Sequence, residues 1–189
     1  CRRSDDKIYN MCLKENINKI NTFDFGRKLC KINICHTNKR RIIINGELMQ
    51  KYSKDRKKVE VKKLKYCESS QDVIIFKGLP IISRKTSNIK SGNKSYHICN
   101  NELFTTGKLS KDCSTVEIIS QDNQENSFTI PTKLFSIYFN PSYCLTVHKS
   151  QGATFTSDFT IHEFEKFDNR LRYVAISRAQ SINQLNFIK

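Results

Sequence analysis

The chain has 189 residues, enough for one ordinary domain or for one domain that carries a smaller inserted one. Its apolar fraction of 38% can supply a core, and no apolar run approaches the ~20 residues of a membrane-spanning helix, so we expect no membrane partner. A net charge of +15, from 33 basic and 18 acidic residues, favours a polyanionic partner, most often nucleic acid. The alternative is a basic protein whose charge only keeps it soluble.

The start of the chain is polar and has no signal peptide. It also lacks an initiator Met, so we expect a piece of a longer protein. The eight cysteines form no C-x-x-C pair, and the four histidines complete no zinc-finger spacing. Cysteines within apolar runs, such as Cys35 and Cys144, are typical of small buried side chains. These features predict an intracellular, reducing compartment and no metal bound by this chain.

The first part of the chain alternates helix and strand. Residues 4–20 are predicted to form a helix that Ser4 caps. Residues 31–35 alternate like a strand, residues 36–38 form a turn, and residues 39–52 form a second helix. A strand, a polar turn and a helix in this order are typical of an α/β sheet.

A basic run overlaps the end of the second predicted helix. Between positions 51 and 65 it holds Lys51, Lys54, Arg56, Lys57, Lys58, Lys62, Lys63 and Lys65. Such a run is usually a solvated surface. The functional alternative is a patch that follows a nucleic-acid backbone with salt-sensitive, sequence-independent affinity.

Short apolar runs separated by polar turns begin at Asp72. The runs occupy residues 73–76, 81–82, 103–104, 116–119, 128–130 and 134–139, and turns are predicted at 88–93 and 121–127. Short strands at this spacing predict a small antiparallel sheet or barrel.

Two stretches near the end carry the strongest functional signal. They are Tyr143–Thr154 (YCLTVHKSQGAT) and Tyr173–Ala179 (YVAISRA). Each begins with an apolar run that suits a buried strand or a packed helix, and polar groups follow where that element ends. In an open α/β sheet, ligands bind at the carboxyl ends of the strands. Gly152 allows a tight turn there, and free N–H groups in such a turn favour anions.

The remaining segments near the end complete the predicted sheet. Residues 155–161 and 182–188 are predicted as strands, and residues 163–173 as a helix with one apolar face. Tyr143 and Tyr173 are predicted to lie in the core, where they would not stack on bases.

The two stretches resemble motifs V and VI of superfamily 1 helicases in the RecD/Dda/Pif-type branch. The branch patterns are roughly T-x-H-K-x-Q-G and Y-V-A-[IL]-S-R-A. Residues 35–41 (CHTNKRR) are similar to the motif IV region of that family. The β-rich middle is similar in outline to a subdomain that the branch carries before motif V.

The resemblance implies an α/β fold: a RecA-like parallel sheet flanked by helices, with an inserted small antiparallel β-barrel-like (SH3-like) subdomain. Residues 1–66 and 141–189 would form the second RecA-like lobe, and residues 67–140 the insert. It also implies ATP-driven movement along a single nucleic-acid strand, with DNA as the expected substrate, in the 5′ to 3′ direction. ATP and Mg²⁺ would be held by an upstream lobe of the same protein.

The resemblance also assigns roles to residues. Arg178 would be catalytic, because a guanidinium fork can stabilise charge on a transferring phosphoryl group. The implied nucleotide contacts are Gln151, Gly152, Arg40 and Arg41. The implied nucleic-acid contacts are Thr146, His148, Lys149 and Ser150, since phosphates accept hydrogen bonds from hydroxyls and cations. Alternatively, Arg40 and Arg41 are exposed helix residues, His148 is structural, and Arg178 caps a helix.

The sequence has no phosphate cradle of the G-x-x-x-x-G-K-[ST] type. We therefore expect no ATPase activity from this chain alone. Two other functions stay open: a free-standing module that binds single-stranded nucleic acid without ATPase, and an interaction domain in which Arg178 is structural.

Overall fold

Short strands predominate among the described residues, and the helices lie in the first and last thirds of the chain. The computed structural model describes residues 6–121 and 127–189. The helices are α1 (Asp6–Met11), α2 (Asn38–Tyr52), α3 (Phe135–Tyr138) and α4 (Asn169–Ile176). The strands are β1 (Ile32–Cys35), β2 (Lys58–Val61), β3 (Val73–Phe76), β4 (Pro80–Ser83), β5 (Ser87–Ser91), β6 (Lys94–Ile98), β7 (Leu103–Leu109), β8 (Thr115–Ser120), β9 (Ser127–Pro131), β10 (Phe139–Pro141), β11 (Cys144–Thr146), β12 (Phe159–His162) and β13 (Leu185–Ile188).

The described residues form two compact units. The first combines residues up to Ile42 with Cys144–Lys189, and the second is Ile43–Tyr143. These limits differ from those of the predicted domains, 1–66 with 141–189 and 67–140, whose boundaries stay a prediction. In the part of the chain that the structure describes, no helix is long and apolar enough to cross a membrane.

The first unit is built on a parallel sheet in the order β11-β1-β12-β13. β1 (INIC) and β12 (FTIH) are buried along nearly their whole length, as is usual for strands of a parallel sheet, and their polar residues Asn33, Thr160 and His162 are buried with them. Ile34 lies opposite Leu145 on one side and Ile161 on the other. The core around them includes Phe159 and Phe187.

The second unit is antiparallel. Its largest sheet has five strands in the order β10-β4-β7-β8-β9, and two ribbons pair β2 with β3 and β5 with β6. In β8 the burial alternates, because one face covers the core and the other meets solvent. The mixed α/β class, a parallel sheet with an antiparallel insert, is thus confirmed.

The helix predicted over residues 4–20 is much shorter in the structure. α1 ends at Met11, and Ile17–Lys19 form a single 3-10 turn. The Asn16 side chain donates to the carbonyl of Asn10, a local bond that competes with helical hydrogen bonding. The predicted cap, Ser4, lies outside the described residues.

Two predictions in the middle of the chain were wrong. Of the turn predicted over residues 88–93, residues 88–91 belong to strand β5, and residues 92–93 alone form the two-residue loop of the β5–β6 hairpin, where Gly92 has a φ of +60°. Residues 135–138 are helical, because Phe135 and Phe139 pack at one-turn spacing with ring centroids 5.7 Å apart. Of the predicted turn at 121–127, residues 122–126 lie outside the described residues.

The second stretch begins within a helix, which is one of the two structures that its apolar run allows. Asp168 caps a new helix by accepting a 2.8 Å hydrogen bond from the Leu171 N–H, and α4 then runs to Ile176. The helix predicted over residues 163–173 is therefore interrupted. Glu163 has a left-handed φ of 58°, which separates β12 from the 3-10 turn Phe164–Lys166.

Candidate functional site

The carboxyl ends of the four parallel strands lie at one edge of the first unit's sheet. β11 continues into the 3-10 turn Val147–Ser150, and β12 continues into Glu163. β1 continues through His36 and Thr37 into α2. Turns at this edge expose backbone N–H groups and side chains to a ligand, so it is the expected place for a site.

The turn after β11 has a tightly bonded interior and an exposed rim. The buried Ser150 hydroxyl donates to the carbonyl of Val147 at 2.8 Å, and the Ala153 N–H donates to the carbonyl of Ser150 at 3.1 Å. His148 and Gln151 are exposed. Gly152 has a φ of +85°, a conformation that a side chain would strain. The turn therefore presents the His148 imidazole, the Gln151 side-chain amide and Gly152 at its surface.

Arg178 joins this turn to α4. Its Nη1 donates to the carbonyl oxygens of Ala153 at 2.7 Å and Ser150 at 3.4 Å. Its Nε donates to the carbonyl of Val174 at 2.9 Å, and its Nη2 to the hydroxyl of Ser177 at 2.9 Å. These acceptors are uncharged, so the bonds orient the guanidinium without neutralising it.

The backbone repeats the connection that the Arg178 side chain makes. The Phe155 N–H donates to the carbonyl of Arg178 at 2.9 Å, and Phe155 forms an isolated parallel bridge with Ala179. The structure thus brings the two sequence stretches together.

Two cavities lie on either side of Tyr173. One has a volume of about 680 Å³ and is lined by His148 and Gln151 among others. The other has a volume of about 500 Å³ and is lined by Gly152 and Arg178. Tyr173 borders both and is 44% exposed, so its predicted place in the core was wrong, whereas Tyr143 is buried.

Arg40 and Arg41 lie in the first turns of α2. Arg41 is buried, and its Nε donates to the Asn38 side chain at 3.1 Å. Arg40 is partly buried and donates from Nη2 to the carbonyl of Lys189 at 3.2 Å. Neither is a fully exposed helix residue. Their contacts with a nucleotide stay a prediction.

Thr146 and Lys149 are both half-buried in the turn region. Thr146 precedes the 3-10 turn without capping it through its side chain. The Ser150 hydroxyl is used inside the turn. The predicted nucleic-acid contacts of Thr146, His148, Lys149 and Ser150 therefore stay predictions, with His148 the most accessible of the four.

Glu163 is a site-edge residue that the sequence analysis missed. Its Oε2 accepts hydrogen bonds from the N–H groups of His36 and Thr37, both at 3.2 Å, and its Oε1 pairs with Lys166 at 2.9 Å. Burial alone would raise the pKa of Glu163, but Lys166 and these N–H groups outweigh it and lower the pKa. An acidic residue directly after a strand was the available signal.

His162 precedes it and is also buried. Its Nε2 lies 3.0 Å from the Asn33 side-chain oxygen, and its Nδ1 has no hydrogen-bond partner among the described residues. Burial, reinforced by the positive charge of Arg40, lowers the pKa of His162 to about 4. The ring is therefore neutral at neutral pH, and Nε2 donates to Asn33.

Within residues 6–121 and 127–189, no group of three His, Cys, Asp or Glu side chains is placed to hold a metal ion. The site offers cations, amides, hydroxyls and backbone groups instead. These are groups that bind phosphates and bases, since they donate hydrogen bonds or positive charge.

The sheet order and the antiparallel insert define a mixed α/β fold with a RecA-like parallel sheet. The comparison with solved structures identifies the fold more closely. It is the fold of Pif1 helicases, which are superfamily 1 helicases of the RecD/Dda/Pif type.

Three solved structures illustrate the similarity. A structure of two coordinating Pif1 helicases, described for DNA unwinding at forked dsDNA, matches with a TM-score of 0.68 and 18% identity over 99% of this chain and 48% of its own. Pif1 from Candida albicans matches with a TM-score of 0.66 and 15% identity over 100% of this chain and 54% of its own. Pif1 from Bacteroides with ADP-AlF3 and ssDNA matches with a TM-score of 0.68 and 17% identity over 100% and 50%.

The chain thus spans about half the length of these helicases. No family model matches its sequence, and no curated protein matches it significantly. At this level of identity the similarity establishes the fold alone.

Proposed function

We propose that this chain is the second motor lobe, with its inserted β unit, of an ATP-dependent helicase that acts on DNA. The observation that carries the proposal is the position of Arg178. It lines a cavity with Gly152 and is hydrogen-bonded to the turn that presents His148 and Gln151. A cationic fork and a polar turn are thus held together at the carboxyl edge of the sheet.

The solved structures of similar fold support this choice of substrates. One contains ADP-AlF3 and ssDNA, and another is described for DNA unwinding at a fork. The net charge of +15 suits a polyanionic strand. All eight Lys and Arg side chains between positions 51 and 65 are exposed, so they are available to a backbone as well as to water.

An upstream lobe would complete the nucleotide site. That lobe would supply the phosphate cradle that this sequence lacks and the carboxylate that holds Mg²⁺. From this chain, Arg178 would reach the transferring phosphoryl group, and Gln151 and Gly152 would lie beside it. Arg40 and Arg41 would contribute positive charge from the start of α2.

The hydrogen bonds of Arg178 offer a route by which binding and hydrolysis of ATP could change the contacts with the nucleic-acid strand. A phosphoryl oxygen placed near this edge would compete with the carbonyls of Ser150 and Ala153 for the guanidinium N–H groups. Losing those bonds would release the turn that carries Thr146, His148 and Lys149. Closure and opening of the two lobes would then tighten and loosen the grip on the strand.

The test is ATP-dependent unwinding of a forked DNA duplex by the full-length protein that contains this chain. We expect unwinding and strand-stimulated ATP hydrolysis by that protein, and strand binding without hydrolysis by the isolated chain. Affinity for a single strand should fall steeply as salt rises, because binding releases counterions. Hydrolysis by the pure isolated chain would contradict the proposed division between two lobes.

A free-standing module that binds single strands is the second candidate function. The missing phosphate cradle favours it, because nothing in this sequence binds the triphosphate in the usual way. The two candidates differ in the upstream sequence. A phosphate-loop motif encoded before this chain supports the motor, and a protein without one that binds single strands supports the module.

A further inference from the structure

Tyr173, which the sequence predicted to lie in the core, instead presents an aromatic ring at the site. Its side chain is 44% exposed and borders both cavities. Its neighbours Ala175 and Ile176 on the same helix are buried. The helix is therefore oriented so that its apolar side covers the sheet while the tyrosine ring faces the cavities.

The larger cavity has the dimensions and chemistry of a nucleotide-binding site. Its volume of about 680 Å³ lies within the usual range for small-ligand pockets. Ile17, Leu171 and Val174 supply apolar walls. His148 and Gln151 add groups that can donate or accept hydrogen bonds at the edge of a base.

The charge around this cavity suits a phosphate backbone. Lys14 and Arg170 line it and are exposed. Asp168 is the single acidic residue among its described lining residues, and its carboxylate accepts the hydrogen bond from the Leu171 N–H that begins α4. The carboxylate is thus already engaged as a helix cap, and the two cations outnumber it.

We propose that the ring of Tyr173 is a stacking platform for an unpaired nucleobase, with Lys14 and Arg170 beside the adjoining phosphate. The inference rests on the proposed function. A flat base stacks on an aromatic face whatever its sequence, which is the recognition that a motor on a single strand requires. The stacked base is either a base of the DNA strand or the adenine of the nucleotide, and both stack on an aromatic ring in the same way.

Measurements of strand binding test whether the stacked base comes from the DNA strand. The full-length protein is titrated with a fluorescent mixed-sequence single strand and with the same strand made of abasic sites, which keeps the phosphates but lacks bases. Tyr173→Ala should weaken binding of the normal strand roughly 5- to 150-fold, the equivalent of one lost stacking interaction, and leave the abasic strand unaffected. Tyr173→Phe should bind like the wild type, and Tyr173→Leu like the alanine variant.

Measurements of nucleotide binding test whether the stacked base is the adenine of ATP. If the ring stacks on adenine, Tyr173→Ala should raise the KM for ATP while inhibition by inorganic tripolyphosphate stays the same. Equal losses for normal and abasic strands would overturn the proposal, because they would mean that the ring only packs against protein. Unchanged binding of every probe would overturn it as well.

The wild type separates failure of this inference from failure of the proposed function. A wild-type protein that neither binds the strand nor hydrolyses ATP contradicts the proposed function. A wild-type protein that does both, with Tyr173→Ala behaving identically, contradicts the stacking role alone.

Discussion

The guanidinium of Arg178 donates a 2.7 Å hydrogen bond to the carbonyl oxygen of Ala153, 25 residues earlier in the chain. Through this bond the end of α4 holds the loop that follows β11. A hydrogen bond to a neutral carbonyl orients the cation, so the contact is compatible with both a structural and a catalytic role. Substitutions can separate the two roles.

Arg178→Ala should lower ATP turnover of the full-length protein by roughly 10³-fold or more if the residue stabilises the transferring phosphoryl group. It should also destabilise the fold by about 1–3 kcal/mol, because the carbonyls of Ala153 and Val174 lose a charged donor. Affinity for a single strand should fall far less than turnover, because the hydrogen bond from the Phe155 N–H to the backbone carbonyl of residue 178 still holds the loop. Turnover, thermal unfolding and strand binding are measured on the same preparation.

Arg172→Ala is the matched control for that variant. Arg172 lies within α4, six residues before Arg178, donates from Nε to the carbonyl of Phe167 at 3.1 Å and stacks over the Phe164 ring. Its loss should also lower stability, yet turnover should stay near the wild-type rate. A comparable fall in turnover for both variants would show that the effect of Arg178→Ala is structural.

Gly152→Ala should lower the free energy of unfolding by about 1 kcal/mol or more, because its φ of +85° disfavours any side chain. A methyl group would meet no atom within 4 Å there, so the cost is one of backbone conformation alone. Chemical denaturation of the wild type and the variant measures it.

Gly46→Ala provides the opposite expectation. Gly46 lies inside α2, also with nothing within 4 Å of an added methyl group, and its substitution should raise stability by about 0.5–1 kcal/mol. If both variants shift stability in the same direction, backbone conformation is not what distinguishes the two glycines.

The sequence predicted those parts of the fold in which local pattern and tertiary structure agree. The strand predicted over residues 31–35 and the helix predicted over residues 39–52 correspond to β1 and α2. The turn from Thr146 to Gly152 followed from polar residues at the end of an apolar run. In each case the local pattern is the cause of the structure.

The rest depended on contacts between residues that are distant in sequence. Glu163 accepts hydrogen bonds from His36 across 127 residues, which no local pattern indicates. The short apolar run Tyr173–Ile176 is compatible with strand or helix, and the cap at Asp168 decided for helix. The exposure of Tyr173 then followed from which face of α4 covers the core.

Glu163→Gln should destabilise the protein at neutral pH by roughly 1–3 kcal/mol, because the N–H groups of His36 and Thr37 lose a charged acceptor. The pKa of Glu163 is lowered in the folded state, so its contribution is present above the unfolded value of about 4.3 and is lost as the pH falls through the folded pKa. The difference between wild type and variant should therefore shrink in acid.

Lys166→Met separates the ion pair from the backbone contacts. The Lys166 side chain is 57% exposed, so solvent screens its pairing with Glu163, and the loss should be at most about 1 kcal/mol. Denaturation of both variants from neutral to acid pH shows whether the ion pair or the backbone hydrogen bonds contribute more to stability. A larger loss for Lys166→Met than for Glu163→Gln would mean that the ion pair dominates.

His162 should make the protein less stable as the pH falls from about 6.5 to about 4. Its folded pKa is lowered to about 4 by burial and by Arg40, whereas an unfolded histidine titrates near 6.5. The unfolded chain therefore binds a proton over this interval that the folded chain does not, which costs up to roughly 3 kcal/mol. His162→Gln keeps a donor for Asn33 but does not titrate, so its profile should be flatter between these pH values. Denaturation midpoints measured across the interval test this, and parallel profiles for the two proteins would exclude His162 as the source.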